Sequence, residues 1–223
     1  MARLMVFNNV SVDGYFTDAK GDMSWAHSND PEWNEFTSQN AGGGGRLLLG
    51  RVTYDLMVSF WPTEQAKQMM PDVADAMNNM PKVVFSRTMD HPSWNNTTLI
   101  KDDIAGEVRK LKAEPGDDLV ILGSGSIVAQ LTKEGLIDEY QIIVHPIVLG
   151  QGRTLFEGVD KVRLKQTKTR TFENGTCSLA MSRRRLSLTL RLRVFAGMDC
   201  RQYDVSRKGA ELQRTNQRAN KIY

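Results

Sequence analysis

Short apolar runs alternate with amphipathic segments along most of the chain. Residues 4–12 are rich in Val, Leu, Met and Phe and stop at Asp13-Gly14, a turn signal, which predicts a buried strand. Residues 23–41 carry Trp25, Trp33 and Phe36, and Asp30-Pro31 predicts a helix start with Pro at the first helical position. The four glycines of 42–45 break that helix. A short apolar strand over 47–49 ends at Gly50, and 53–59 turns into a further helix.

The same grammar then repeats. Residues 72–79 predict a short helix, 82–85 a strand, and 103–112 a helix whose Ile104, Val108 and Leu111 share one face. A strand over 119–122 leads into Gly123-Ser124-Gly125-Ser126 and a helix over 127–134. Residues 140–144 and 147–149 continue the sheet, with His145-Pro146 bending the chain between them. Finally 163–172 and 176–183 flank Asn174-Gly175, a strong hairpin signal. Strands alternating with helices predict a single-domain α/β fold: a mixed, mainly parallel sheet with helices on both faces and a C-terminal antiparallel hairpin.

Composition narrows the class. With 223 residues, 40% apolar and 25% charged, the chain suits one globular domain with a sizeable core and an extension. No stretch reaches the roughly 20 apolar residues of a membrane helix, and no export signal stands out, so a cytoplasmic setting is expected. Two cysteines, Cys177 and Cys200, supply neither a disulfide framework nor a thiolate zinc site. His27, His91 and His145 share no metal-ligand spacing, and no metal is expected.

The net charge of +3 changes meaning once it is divided along the chain. Residues 183–223 hold nine Arg and two Lys against three acids, a surplus of eight, which leaves −5 on 1–182. The domain is therefore acidic and the basic character belongs to the tail, which argues against a polyanion-binding protein. Within the tail, Leu186, Leu188, Leu190, Leu192 and Val194 alternate with polar residues as in a half-buried strand, and 208–223 is polar throughout. The division expected is a domain over 1–182 and a basic, non-conforming tail over 183–223.

Three strand ends share one chemical kind: Gly50-Arg51-Val52-Thr53, Ser86-Arg87-Thr88 and Gly123-Ser124-Gly125-Ser126. Each joins hydroxyls or an Arg to a turn or helix start, equipment for holding phosphate by amide donors, helix dipole and guanidinium forks. Jointly they describe a dinucleotide laid across the strand ends, the usual ligand position in such sheets. A Rossmann fingerprint is not met, because Val128 replaces its third glycine and the expected acid falls among Ile142-Ile143-Val144. A P-loop over 42–46 fails too, since a strand follows and the Lys-Ser/Thr pair is absent.

These residues resemble a known family, the reductase domain shared by dihydrofolate reductase and the C-terminal reductase of the riboflavin biosynthesis deaminase-reductase. The resemblance rests on Ser11-Val12-Asp13-Gly14, Leu48-Leu49-Gly50-Arg51-Val52-Thr53-Tyr54, Val84-Phe85-Ser86-Arg87-Thr88 and Ile121-Leu122-Gly123-Ser124-Gly125-Ser126. It continues through Gly135-Leu136-Ile137-Asp138-Glu139, His145-Pro146-Ile147-Val148-Leu149-Gly150-Gln151-Gly152 and Thr171-Phe172-Glu173-Asn174-Gly175. Residues 2 to about 182 are covered in order.

The resemblance implies an NADPH-dependent oxidoreductase acting on a small substrate. Arg51 and Thr53 are implied to meet cofactor phosphates, Ser86 and Arg87 to surround the adenosine 2′-phosphate, and Gly123 to Ser126 to face the pyrophosphate and nicotinamide. Arg87 agrees independently, because a guanidinium gains most from an added phosphate. Related domains are commonly homodimers and 144–152 is expected to join strands at the sheet edge, so a homodimer of the 1–182 region is expected. Where many relatives have two adjacent glycines, Ser124 stands between Gly123 and Gly125.

The substrate is read only to its class. Trp25 and Trp61 are expected to line its side of the cleft, and aromatic walls suit a pterin, a riboflavin-pathway pyrimidinone or a similar heterocycle. Asp30 is the candidate acid of the site, either an N-cap or a proton relay. The competing readings are a nucleotide-binding module that keeps an NADPH cleft without turnover, and a nucleic-acid-binding tail.

Overall fold

The computed structural model describes residues 1–27 and 30–183; the tail alternation of 186–194 and the polar stretch of 208–223 lie outside them. Within 1–183 the strands are β1 (Leu4–Ser11), β2 (Tyr15–Asp18), β3 (Arg46–Gly50), β4 (Lys82–Phe85), β5 (Thr97–Ile100), β6 (Leu119–Leu122), β7 (Glu139–His145), β8 (Gly152–Thr154), β9 (Leu164–Thr171) and β10 (Cys177–Arg183). The helices are α1 (Pro31–Gly42), α2 (Arg51–Phe60), α3 (Glu64–Met69), α4 (Pro71–Asn79), α5 (Ile104–Ala113) and α6 (Gly125–Lys133), with a 3-10 turn over Ser24–Ala26.

The main sheet runs β5-β4-β3-β6-β1-β7-β10-β9, parallel through β7, with β10 antiparallel to both β7 and β9. This is the mixed α/β architecture expected from the alternation of apolar runs and helices. Leu47, Leu48 and Leu49 are all buried because β3 is covered on both faces, and each contributes about 2 kcal/mol of burial. Alternation sends Leu4, Val6 and Val10 of β1 to the face packed by Ile127, Val128 and Leu131 of α6 and Val108 of α5. The opposite face packs Tyr54, Val73 and Met77 from α2 and α4, and Trp33 of α1 sits with Ile143 and Phe172.

Several expectations change. Residues 147–149 form no strand: the Ile147 amide bonds the His145 carbonyl at 2.8 Å, and the Leu149 and Gly150 amides donate to the Asp13 carboxylate at 3.2 and 2.7 Å. The part of 144–152 in the main sheet is not at its edge either, since β7 lies between β1 and β10 and the edges are β5 and β9. Strands β2 and β8 pair in a separate two-stranded sheet, and β5 and α3 add to the elements that the apolar pattern predicts.

Lys82 is the buried cation of the α4–β4 corner, 1% exposed. Its Nζ donates to the carbonyls of Met80, Asn78 and Asn95 at 2.7, 3.0 and 3.2 Å and lies 4.4 Å from the Trp94 ring centre. Burial pushes its pKa down to about 8.

Candidate functional site

The parallel strands β4, β3, β6, β1 and β7 are consecutive, so their carboxyl ends form one row. Ser86 follows β4, Gly50 closes β3 and Gly123 follows β6. The three phosphate-type segments therefore stand on neighbouring strands.

Two of them are interlocked. The Gly50 amide donates to Ser124 Oγ at 2.9 Å and the Ser124 amide to Thr53 Oγ1 at 3.1 Å. Ser124 Oγ also lies 2.9 Å from the Leu122 carbonyl and 3.1 Å from Thr53 Oγ1. Gly123 and Ser124 both have φ near 58°, at 57° and 58° respectively, in the left-handed region. For Ser this costs about 1–2 kcal/mol, which the bonds to Thr53 and Gly50 offset. The left-handed pair turns the chain sharply into α6, whose amino end receives no side-chain cap because the Ser124 hydroxyl is turned to α2. From β1, Asn8, 2% exposed, donates to the Gly123 carbonyl at 3.0 Å. A Cβ on Gly125 would sit 2.7 Å from the Phe16 ring, so β2 closes directly over the start of α6, where Ser126 also lies.

The third segment is tied in by Arg51, whose Nη1 donates to Thr88 Oγ1 at 2.6 Å while Nε lies 3.4 Å from Asp55. Ser86 Oγ accepts from the Met89 and Thr88 amides at 3.1 and 3.3 Å and shapes the turn. Arg87 is largely exposed, at 83%, and meets only the equally exposed Asp102, at 3.3 Å, among the ion pairs of the described residues. Exposed pairs of this kind hold about 0–1 kcal/mol, so the guanidinium is available to a stronger anion.

On the other side of the row the aromatic residues separate. Trp25 meets the His145 ring edge-on, 5.5 Å between centres, and Trp33 also meets it edge-on, at 5.7 Å. Trp61 instead packs on the α2 face, with its indole nitrogen 3.0 Å from Met57 Sδ and its ring against Phe60. Asp30 caps α1: its Oδ1 accepts from the Trp33 amide at 2.9 Å. The neighbouring acids are engaged as well, Glu32 with Arg170 at 2.8 Å and Glu35 with Gln39 at 3.0 Å.

Sequence reasoning missed the paired asparagines of β1. Asn8 reaches Gly123 on one face, and Asn9 reaches His145 Nε2 at 2.9 Å on the other. It missed the Asp13 clamp too: the Ser11 hydroxyl, at 2.6 Å, and then the Gly150 and Leu149 amides hold its carboxyl below the usual range. Burial lowers the His145 pKa and favours its neutral form. Among the described residues no group of three or more His, Cys, Asp or Glu could hold a metal ion, and no helix is long and apolar enough to cross a membrane.

Comparison with known proteins identifies the family and the fold. The uncharacterized protein YyaP of Bacillus subtilis (strain 168) is 31% identical over 180 residues, covering 79% of this chain and 93% of its own. A Shewanella sp. PV-4 protein named for riboflavin biosynthesis superposes with a TM-score of 0.65 at 26% identity, covering 83% of this chain and 100% of that one. The Thermotoga maritima diaminohydroxyphosphoribosylaminopyrimidine deaminase/5-amino-6-(5-phosphoribosylamino)uracil reductase shares the fold at a TM-score of 0.57 and 13% identity, over 82% of this chain and 57% of that one. The family model of the RibD C-terminal domain matches residues 2–178. That match bears out the resemblance carried by the strand-end motifs, and the chain belongs to the RibD C-terminal domain family.

Proposed function

We propose that the chain is an NADPH-dependent reductase that lays the cofactor across the carboxyl ends of β4, β3 and β6 and reduces a small heterocycle on the β1–β7 side. The observation that carries this reading is the interlock of Gly50, Thr53 and Ser124 beside the uncapped amino end of α6. It fixes the turn that leads into the uncapped amino end of α6, with Arg51 at the start of α2, and Arg87 stands one strand over with its guanidinium exposed. Two guanidiniums, hydroxyls and a helix amino end make a donor set that fits a phosphorylated dinucleotide. When bound, NADPH supplies the hydride.

The chain's own residues bind and orient. Thr53 and Ser124 hold the turn that would border the pyrophosphate, Arg51 bridges two strand ends, and Arg87 would select the 2′-phosphate over a ribose hydroxyl. Hydride transfer to a C=N or C=O bond leaves charge that must be protonated, and Asp30 is the carboxyl to test as its source. The family's reductase members, among them the Thermotoga deaminase/reductase by name, support a reductase over a passive module.

The test is a titration with NADPH followed by a screen of its oxidation with dihydrofolate, the riboflavin-pathway aminopyrimidinone, quinones and nitro-aromatics. Tight binding with oxidation by one acceptor class supports the reading. Binding with no oxidation by any acceptor would make the protein a nucleotide-binding module, and absence of binding would reject the cleft.

A further inference from the structure

A second feature lies two strands from the phosphate-type loops and is not used by them. His145, at the end of β7, is 5% exposed, yet it borders a cavity of about 210 Å³ lined also by Trp25, His27, Pro146, Asn174 and Thr176. A single water needs about 10–15 Å³ of such space, so there is room for a small organic molecule.

The imidazole is held by two edge-on aromatic contacts and one side-chain hydrogen bond. Trp25 and Trp33 meet it edge-on, with interplanar angles of 86° and 77°. The Asn9 amide oxygen lies 2.9 Å from Nε2, and since an amide oxygen only accepts, this assignment of the Asn9 amide places the ring proton on Nε2. Nδ1 then carries a bare lone pair. It has no hydrogen-bond partner among the described residues, and no buried side-chain nitrogen or oxygen is left unpartnered there, so Nδ1 keeps contact with open space. The cavity is open space that this residue borders.

A buried ring locked by one nitrogen and open at the other is a poor choice for packing alone, where a Phe would avoid the polar cost. We propose that His145 is a specificity-determining residue of the substrate site: Nδ1 accepts a hydrogen bond from a ring N–H of a flat heterocycle lodged against Trp25. This rests on the reductase reading for its role, though not for the binding itself. Asn9 acts through His145 and is a positioning residue. The site then favours lactam and imide heterocycles that present an N–H edge and rejects their N-alkylated analogues.

The probes are lumazine, which carries ring N–H donors, and 1,3-dimethyllumazine, which has none. Binding of each to the full chain is measured without cofactor, and NADPH is titrated separately. Lumazine is expected to bind about tenfold more tightly than the dimethyl compound, and His145→Phe, which keeps an aromatic ring against the two tryptophans, is expected to bring the two within about twofold. Equal affinities in the wild type, binding of neither probe, or a preference that persists in His145→Phe would overturn the proposal; persistence would mark the preference as steric.

Should His145→Phe fail to fold, the wild-type chain still answers. The chain has three histidines, so His27→Gln and His91→Gln identify the unprotonated ¹⁵N signal of His145. That signal is expected to move with lumazine and stay in place with dimethyllumazine, and a static signal overturns the assignment. Loss of NADPH binding with this discrimination intact would sink the reductase reading and support the pocket; the reverse would sink the pocket alone.

Discussion

The Ser124 amide donates to the Thr53 hydroxyl at 3.1 Å, joining the first turn of one helix to the N-cap of another across 71 positions of sequence. This bond holds Ser124 in its left-handed conformation, so its loss should be felt both in stability and in the cleft. Thr53→Val keeps the shape and removes the acceptor. Thermal or urea unfolding should show a loss of about 1–2 kcal/mol, and NADPH affinity should fall by about tenfold. A variant that melts earlier yet binds NADPH as the wild type does would separate the interlock from the cofactor.

Cofactor preference should reside in Arg87. NADPH is expected to bind about tenfold more tightly than NADH, a difference of about 1.4 kcal/mol, and Arg87→Ala to equalise the two. Asp102, 3.3 Å away, competes for the same guanidinium, so Asp102→Asn should strengthen NADPH binding. Parallel titrations check both, and equal wild-type affinities would displace the 2′-phosphate from this corner.

Asp30 is expected to behave as a cap. Asn caps as well as Asp, so Asp30→Asn should retain stability and turnover, whereas Asp30→Ala should lose about 1 kcal/mol in an unfolding titration. A fall in turnover of about 10²-fold in the Asn variant, with NADPH binding intact, would instead assign the carboxyl to proton transfer.

Lys82 should give the fold a pH signature. Its folded pKa, about 8, lies below the ordinary value of 10.5, so between these the unfolded chain binds more protons than the folded one. The Lys82 contribution to stability therefore rises as pH climbs from about 8 to 10.5, and its cost is fully present below 8. Lys82→Met would strip three carbonyls of their donor and destabilise the fold by about 1–3 kcal/mol. The gap between wild type and variant should widen over that pH window; a constant gap would mean that the ammonium titrates normally.

How much of this the sequence discloses follows from where the signals sit. The strand ends at Gly50, Ser86 and Gly123 are legible because continuous apolar runs stop at small residues, a local pattern. β5 and the β2–β8 pair are not, since Thr97-Thr98 and Gly152-Arg153-Thr154 carry no apolar period and pair for reasons of topology. Residues 147–149 read as a strand by hydropathy, yet Asp13, more than 130 residues earlier, takes the amides of Leu149 and Gly150. The contact between Asn9 and His145 spans 136 positions, and neither residue alone signals it. His145 reads as the site of a chain bend, which the backbone bears out at Ile147 while the side chain does something further.

The place of β1 in the sheet bears on how the chain is made. Both of its neighbours, β6 and β7, lie more than 100 positions later, so β1 leaves the ribosome long before anything can pair with it. At roughly 5–20 residues per second, the interval until β6 is complete is on the order of five to twenty seconds. Through that time Leu4, Val6 and Phe7 have no sheet to enter, and the nascent chain depends on weak local contacts or a holding chaperone to keep them from aggregating. Synthesis that stalls between β6 and β7 would strand the central strand with one edge open.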